Sequence, residues 1–228
     1  ILVNFQGNTR DVSTLAHELG HGVHQYLAGK NQTHFNASTP LTLAETASVF
    51  GEMLTFKLIL NQATSKKERK ALLANKVEDM LNTVIRQIAF FQFEKEIHTL
   101  RRNSELSIDK ICSIWMDVQK SSLGPSIKYE EEYKYYWSYI PHFIHSPFYC
   151  YSYAFGELLV HGLFAQYKKE GSKFIDKYIT LLSSGSKDSP EVLVKRVGID
   201  ITKEDFWESS MYLMKDLLKE AERLFKEK

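Results

Sequence analysis

Residues 17–21 read His17-Glu18-Leu19-Gly20-His21. On a helix, residues four apart lie one turn apart on the same face, so His17 and His21 can aim both imidazoles at one ion. Glu18 is rotated off that axis and is free to take a proton from an attacking water. Zinc suits two imidazoles plus a carboxylate with an open fourth position. The pattern therefore points to metal-assisted hydrolysis with one Zn2+ per chain. Five residues of this kind also recur by chance, so the context carries weight. The pentad has small and apolar companions, and a carboxylate-bearing segment follows at once. The bland alternative is two surface histidines on an amphipathic helix.

A third protein ligand must come from elsewhere. A third histidine six residues after the second is absent, because position 27 is Leu27 and His24 stands where that extended motif has glycine. The segment 41–52 offers Glu45 and Glu52, seven apart and so on one helix face. Glu45 has a competing use in a capping box with Thr42, although Thr39-Pro40 already marks a helix start. Glu52 is either a partner holding a ligand histidine in the right tautomer or a solvated face residue. His24 shares the His17 face but lies roughly 10 Å along the axis, so it is expected to pack or to support the site. His34, His98 and His161 have no ligand spacing and are read as ordinary polar residues.

The elements that must position these groups are mostly helical. Leu15, Leu19, Val23 and Leu27 recur at helical spacing, which predicts a helix over 12–28, capped by Asp11 or Ser13 and ending at Gly29. A second helix is predicted from Thr39-Pro40 to about Leu60, and a long charged one from Ser65 to about Arg101. Further helices are predicted over about 107–121, 148–167, 172–183, from Ser189-Pro190 to near Gly198, and from Thr202 to the C-terminus. Tyr129 to Tyr153 is rich in aromatics and broken by Pro141 and Pro147. Ile1-Leu2-Val3-Asn4-Phe5 reads as a strand entered midway, and the chain is expected to be the C-terminal part of a longer protein.

With 228 residues, 43% of them hydrophobic, the chain can bury a real core. Its 29 basic and 28 acidic residues leave a net charge of +1, which gives no reason to expect nucleic acid or an anionic membrane as partner. Basic runs such as Lys66-Lys67-Glu68-Arg69-Lys70 alternate with glutamate, as solvated faces do. Cys112 and Cys150 form no metal-binding pair and read as buried thiols of a reducing compartment. No apolar run approaches a membrane span.

Thr14 to His24, with His17, Glu18 and His21, followed by Leu43-Ala-Glu45-Thr-Ala-Ser-Val-Phe-Gly-Glu52, resembles the oligoendopeptidase F group of the thimet oligopeptidase family of zinc metallopeptidases. The resemblance continues through Pro141-His142-Phe-Ile-His145-Ser-Pro147-Phe-Tyr149-Cys-Tyr151-Ser-Tyr153-Ala-Phe-Gly156 and through Leu182 to Pro190. It implies a mainly α, multi-helix zincin-type catalytic half, with at most a short N-terminal strand or small sheet, over 1–228. It implies His17, His21 and Glu45 as zinc ligands and Glu18 as general base. His142 and Tyr153, with Tyr149, are implied as hydrogen-bond donors to the oxyanion. His145 is the alternative to His142. Tyr135, Tyr136 and Tyr151 are read instead as an aromatic core stripe. The implied activity is cytoplasmic endopeptidase cleavage of short peptides. In the family, zinc lies on the floor of a channel closed by an N-terminal half, which is the implied partner of this piece. A carboxypeptidase using the same chemistry, or a zinc-binding helical fragment inactive without that half, are the alternatives.

Overall fold

In the computed structural model, which describes residues 1–227, the helix bearing the His17–His21 pentad begins earlier than its apolar spacing indicates. This helix, α1 (Thr9–Asn31), starts at Asn8. The Asn8 side chain accepts the Asp11 N–H at 3.0 Å, while the Asp11 carboxylate accepts the N–H groups of Asn8 at 3.1 Å and Gln6 at 2.7 Å. Asp11 is thus the reciprocal member of a capping box and not the cap itself. At the other end the helix runs past Gly29, closed by the Gln32 N–H on the Ala28 carbonyl at 2.9 Å. The Gln32 side-chain amide also donates to the Ser183 carbonyl at 2.7 Å.

Ile1–Phe5 is not a strand: no strand lies among the described residues, so nothing is there to pair with it. The helix predicted from Pro40 to Leu60 is two pieces, a 3₁₀ turn over Leu41–Thr46 and α2 (Ser48–Gln62). The long charged stretch is α3 (Lys66–Leu81), a π turn over Asn82–Arg86 and α4 (Gln87–Arg101). Then come α5 (Ile108–Leu123), a 3₁₀ segment over Glu131–Tyr139, the short α6 (His142–His145) and α7 (Tyr151–Glu170). The chain ends with α8 (Ser172–Leu182), α9 (Pro190–Lys195) and α10 (Glu204–Lys226). No helix among these is long and apolar enough to cross a membrane.

The chain divides into two compact units, with boundaries inside α3 and α7. The first comprises Ile1–Glu78 and the chain from Gly156 onward. There α10 buries Ser210, Met214, Leu217, Ala221 and Leu224, a three-and-four spacing that lays one stripe on the core. The Phe50 ring of α2 stacks on Tyr178 at 4.6 Å and meets Phe164 edge-on at 5.5 Å. The Tyr178 hydroxyl donates to the Thr46 carbonyl at 2.8 Å, which anchors the turn carrying Glu45. Buried deeper, Lys76 Nζ lies 3.6 Å and His161 Nε2 3.1 Å from Glu157 Oε1. The His161 contact is close but bent, so neither ring nitrogen makes a well-directed hydrogen bond. Burial alone would raise the Glu157 carboxyl, but Lys76 and His161 together overcome it and hold it at about 2.

The second unit, Asp79–Phe155, is built on α4 and α5. Trp115 stacks on Phe90 at 5.5 Å, meets Phe93 edge-on at 5.3 Å, and donates its indole N–H to the Tyr133 carbonyl at 3.0 Å. The aromatic stripe expected at Tyr135, Tyr136 and Tyr151 is not core: these residues are 49%, 52% and 37% exposed. They sit on the rim, while the interior is filled by the rings of α4, α5 and Phe143.

Candidate active site

α1 and the start of α2 approach at backbone distance. A Cβ on Gly20 would stand 2.6 Å from both Ser48 Cα and the Ala47 carbonyl oxygen, so only glycine allows this contact. Gly20 lies between the two pentad histidines, and Ser48 lies three residues after Glu45. The close approach therefore carries the Glu45 side chain to the histidine face of α1. From α7, a Cβ on Gly156 would come within 3.0 Å of Glu45 Cβ.

The resulting donor triangle is tight. His17 Nε2 and His21 Nε2 are 3.0 Å apart, and Glu45 Oε2 lies 3.4 Å from the first and 3.5 Å from the second. Zinc bonds of about 2.0–2.2 Å at tetrahedral angles would separate three donors by roughly 3.3–3.6 Å; the two Glu45 edges fall in that range, and the 3.0 Å edge between the imidazoles would widen by a few tenths of an ångström to admit the ion. These three residues are also the one group of three His, Cys, Asp or Glu among the described residues whose donor atoms lie close enough together to hold a metal ion. The capping alternative for Glu45 is not seen, since its turn has no side-chain cap and the Thr42 hydroxyl is buried without a partner.

Two further side chains fix the triangle. Glu52 Oε1 is 2.6 Å from His17 Nδ1. A carboxylate can only accept, so Nδ1 carries the hydrogen and Nε2 presents its lone pair to the centre of the triangle. The Glu52 hydrogen bond raises the His17 imidazole above its ordinary range; burial opposes it, and the charges of Glu52, Glu45 and Glu18 add to it. Ser48 donates its hydroxyl to Glu45 Oε2 at 2.6 Å. Sequence reading missed Ser48; its signal was the three-residue spacing from Glu45.

Glu18 is part-buried and makes no hydrogen bond or ion pair among the described residues. His24 is packed: burial, then the neighbouring His21, push its imidazole down to about 4, opposed by the Ala44 carbonyl.

The second unit brings together His142, Tyr149 and Tyr153. The Tyr153 hydroxyl lies 3.3 Å from His142 Nε2. The His142 ring stacks on Tyr149 at 5.6 Å and 26°, and Tyr149 meets Tyr153 at 5.3 Å. His145 is exposed, whereas His142 contacts both tyrosines. Cys150, beside this cluster in sequence, is buried, and burial followed by the charge of Glu94 pushes its thiol up to about 12.

Comparison with known proteins gives the family of the chain. Oligopeptidase PepF of Bacillus subtilis is 33% identical over 225 residues, covering 98% of this chain and 33% of that protein. The chromosomal oligoendopeptidase F of Lactococcus lactis subsp. cremoris is 31% identical, over 98% of this chain and 37% of its own length. The chain thus spans about a third of these relatives. Among solved structures, oligoendopeptidase-F from Enterococcus faecium superposes with a TM-score of 0.82 at 26% identity, covering 96% of this chain and 40% of that one. The model of peptidase family M3 matches residues 1–213, nearly the whole chain, and on that match the chain belongs to peptidase family M3.

Proposed function

We propose that residues 1–228 form the catalytic part of a zinc metalloendopeptidase that hydrolyses short oligopeptides. The observation that carries this is the triangle of His17 Nε2, His21 Nε2 and Glu45 Oε2, with edges of 3.0, 3.4 and 3.5 Å. When bound there, zinc supplies Lewis-acid activation of water and of the scissile carbonyl. Glu18, whose carboxylate is not engaged in a hydrogen bond or ion pair among the described residues, accepts the proton of the attacking water and delivers it to the leaving amine. His142 and Tyr153, with Tyr149, donate hydrogen bonds to the oxyanion that develops on the carbonyl oxygen. Glu52 keeps His17 in the tautomer that can ligate. Two free, buried cysteines suit a protein of the cytoplasm.

The test combines metal content with cleavage of a quenched fluorescent peptide blocked at both ends. The parent should bind about one zinc per chain and cut internally, with activity abolished by chelator. Glu18→Gln should keep the zinc and lose about 100- to 10,000-fold in kcat. A zinc-free parent under zinc-replete conditions, or a Glu18→Gln variant at parental rate, overturns the reading. Cleavage confined to peptides with a free C-terminus would instead indicate a carboxypeptidase.

A further inference from the structure

Glu94 is an acid in an apolar place. It is 2% exposed on α4, the helix that also buries Ala89, Phe90 and Phe93. Such burial costs free energy unless the carboxyl is hydrogen-bonded. Its Oε1 accepts the Phe148 N–H at 2.8 Å, and its Oε2 is buried with no hydrogen-bond partner. Phe148 has φ +60°, and it is the sole non-glycine residue with positive φ among those described. A bulky side chain is disfavoured there because its Cβ crowds the neighbouring carbonyl, so the conformation persists only where its surroundings impose it. Those surroundings come from α4. Besides the N–H held by Glu94, the Phe148 ring packs on His98 at 4.8 Å and on Phe91 at 6.3 Å.

The turn gripped in this way carries the donor cluster. Upstream, the Ser146 N–H closes α6 on the His142 carbonyl at 3.0 Å. Downstream, the Tyr149 carbonyl accepts the Ser152 N–H at 3.0 Å and its hydroxyl at 2.6 Å, opening α7 toward Tyr153. Phe148 is the reversal between them. A relaxed φ at that position would turn Tyr149 away from the His142 ring on which it stacks.

We propose that Glu94 is a positioning residue: its carboxyl holds the left-handed backbone of Phe148 and thereby sets His142, Tyr149 and Tyr153 against one another. This rests on the reading that those three side chains serve the reaction. Burial raises the Glu94 carboxyl, while the Phe148 N–H, His98 and His142 draw it down. Either protonation state leaves Oε1 able to accept from the Phe148 N–H, so the clamp needs an acceptor and not a charge.

The experiment uses the complete natural protein, zinc-loaded. Glu94→Leu fills the space without an acceptor, and Glu94→Gln keeps one. Glu94→Leu should retain its zinc, lose about 10- to 100-fold in kcat with KM within about two-fold, and exchange the amide hydrogens of Phe148 and Tyr149 faster. Glu94→Gln should match the parent within about three-fold in kcat and match its exchange. Adding Phe148→Gly to Glu94→Leu should recover part of the kcat, because glycine takes a positive φ freely. Parental kcat and exchange in Glu94→Leu, or equal losses in Leu and Gln, would overturn the proposal. So would failure of both Glu94→Leu and Glu94→Met to fold while Glu94→Gln folds, since Glu94 would then serve stability alone. His142→Ala and Tyr153→Phe separate the two readings. If both keep parental kcat, the oxyanion assignment fails, and the exchange data alone decide whether Glu94 holds the turn.

Discussion

Glu52 on α2 and His17 on α1 meet at 2.6 Å, carboxylate oxygen to Nδ1. The contact makes one nitrogen of the imidazole a donor and leaves the other with the lone pair that a metal ligand needs. Removing it frees the ring to rotate and to take the wrong tautomer. Glu52→Ala is therefore expected to weaken zinc binding by about 10- to 100-fold while the protein stays folded. Competition against a chelator of known affinity measures this. Parental affinity in Glu52→Ala would reduce Glu52 to a solvated face residue.

Glu45 and Glu18 should separate metal binding from chemistry. Glu45→Ala removes one donor of the triangle, and zinc should then be lost on dialysis against a weak chelator. Glu18→Gln should hold zinc as the parent does. Metal analysis after identical dialysis decides the matter, and full occupancy in Glu45→Ala takes Glu45 out of the ligand set.

The backbone contact at Gly20 should be intolerant of a single methyl group. A Cβ there would meet Ser48 Cα at 2.6 Å. Gly20→Ala should cost about 1–3 kcal/mol, since neither backbone can yield without moving its helix. It should also lower zinc affinity, because Ser48 and Glu45 move with that backbone. Gly29→Ala is the matched control on α1, where a Cβ meets nothing within 4 Å. It should stabilise by about 1 kcal/mol through helix propensity. Thermal unfolding of the two variants should shift in opposite directions.

The buried Glu157 gives a pH dependence of known sign. Its carboxyl titrates at about 2 in the fold against an ordinary value of 4.5. Between these values the unfolded chain binds a proton that the native chain does not. The group therefore contributes stability that is present above about 4.5 and is lost as pH falls toward 2; the full contribution is about 3 kcal/mol. Lys76→Met removes its ion-pair partner. It should destabilise by about 3–5 kcal/mol at pH 7, because it strands a buried charge. The acid-side loss of stability should also become shallower. Denaturant melts from pH 2.5 to 7 test both statements.

Part of the candidate site is legible along one helix. His17, Glu18 and His21 are related by the geometry of a single turn, so their spacing already decides which side chains share a face. The same holds for the helical class, since three-and-four apolar spacing is a property of each segment. Element ends were read less well. Asn8 was passed over as a cap because its box with Asp11 lies one turn ahead of the apolar pattern. The strand expected at Ile1–Phe5 rested on composition, which says nothing about whether a partner strand exists.

What the sequence by itself determined, then, was direction within elements: two imidazoles on one face, an acid turned aside from them, and aromatic donors crowded into one short segment. Tertiary structure alone decided which side chains meet across elements. It set Glu45 in the triangle and Glu52 behind His17, although the two are equivalent by spacing. It set His142 beside Tyr149 and Tyr153, placed Ser48 on Glu45 Oε2, and put Glu94 under Phe148. The reason is one of scale. Helical periodicity fixes angles around an axis, but a hydrogen bond between two helices depends on how closely their backbones approach, and that distance is set by contacts as remote in sequence as Gly20 and Ser48.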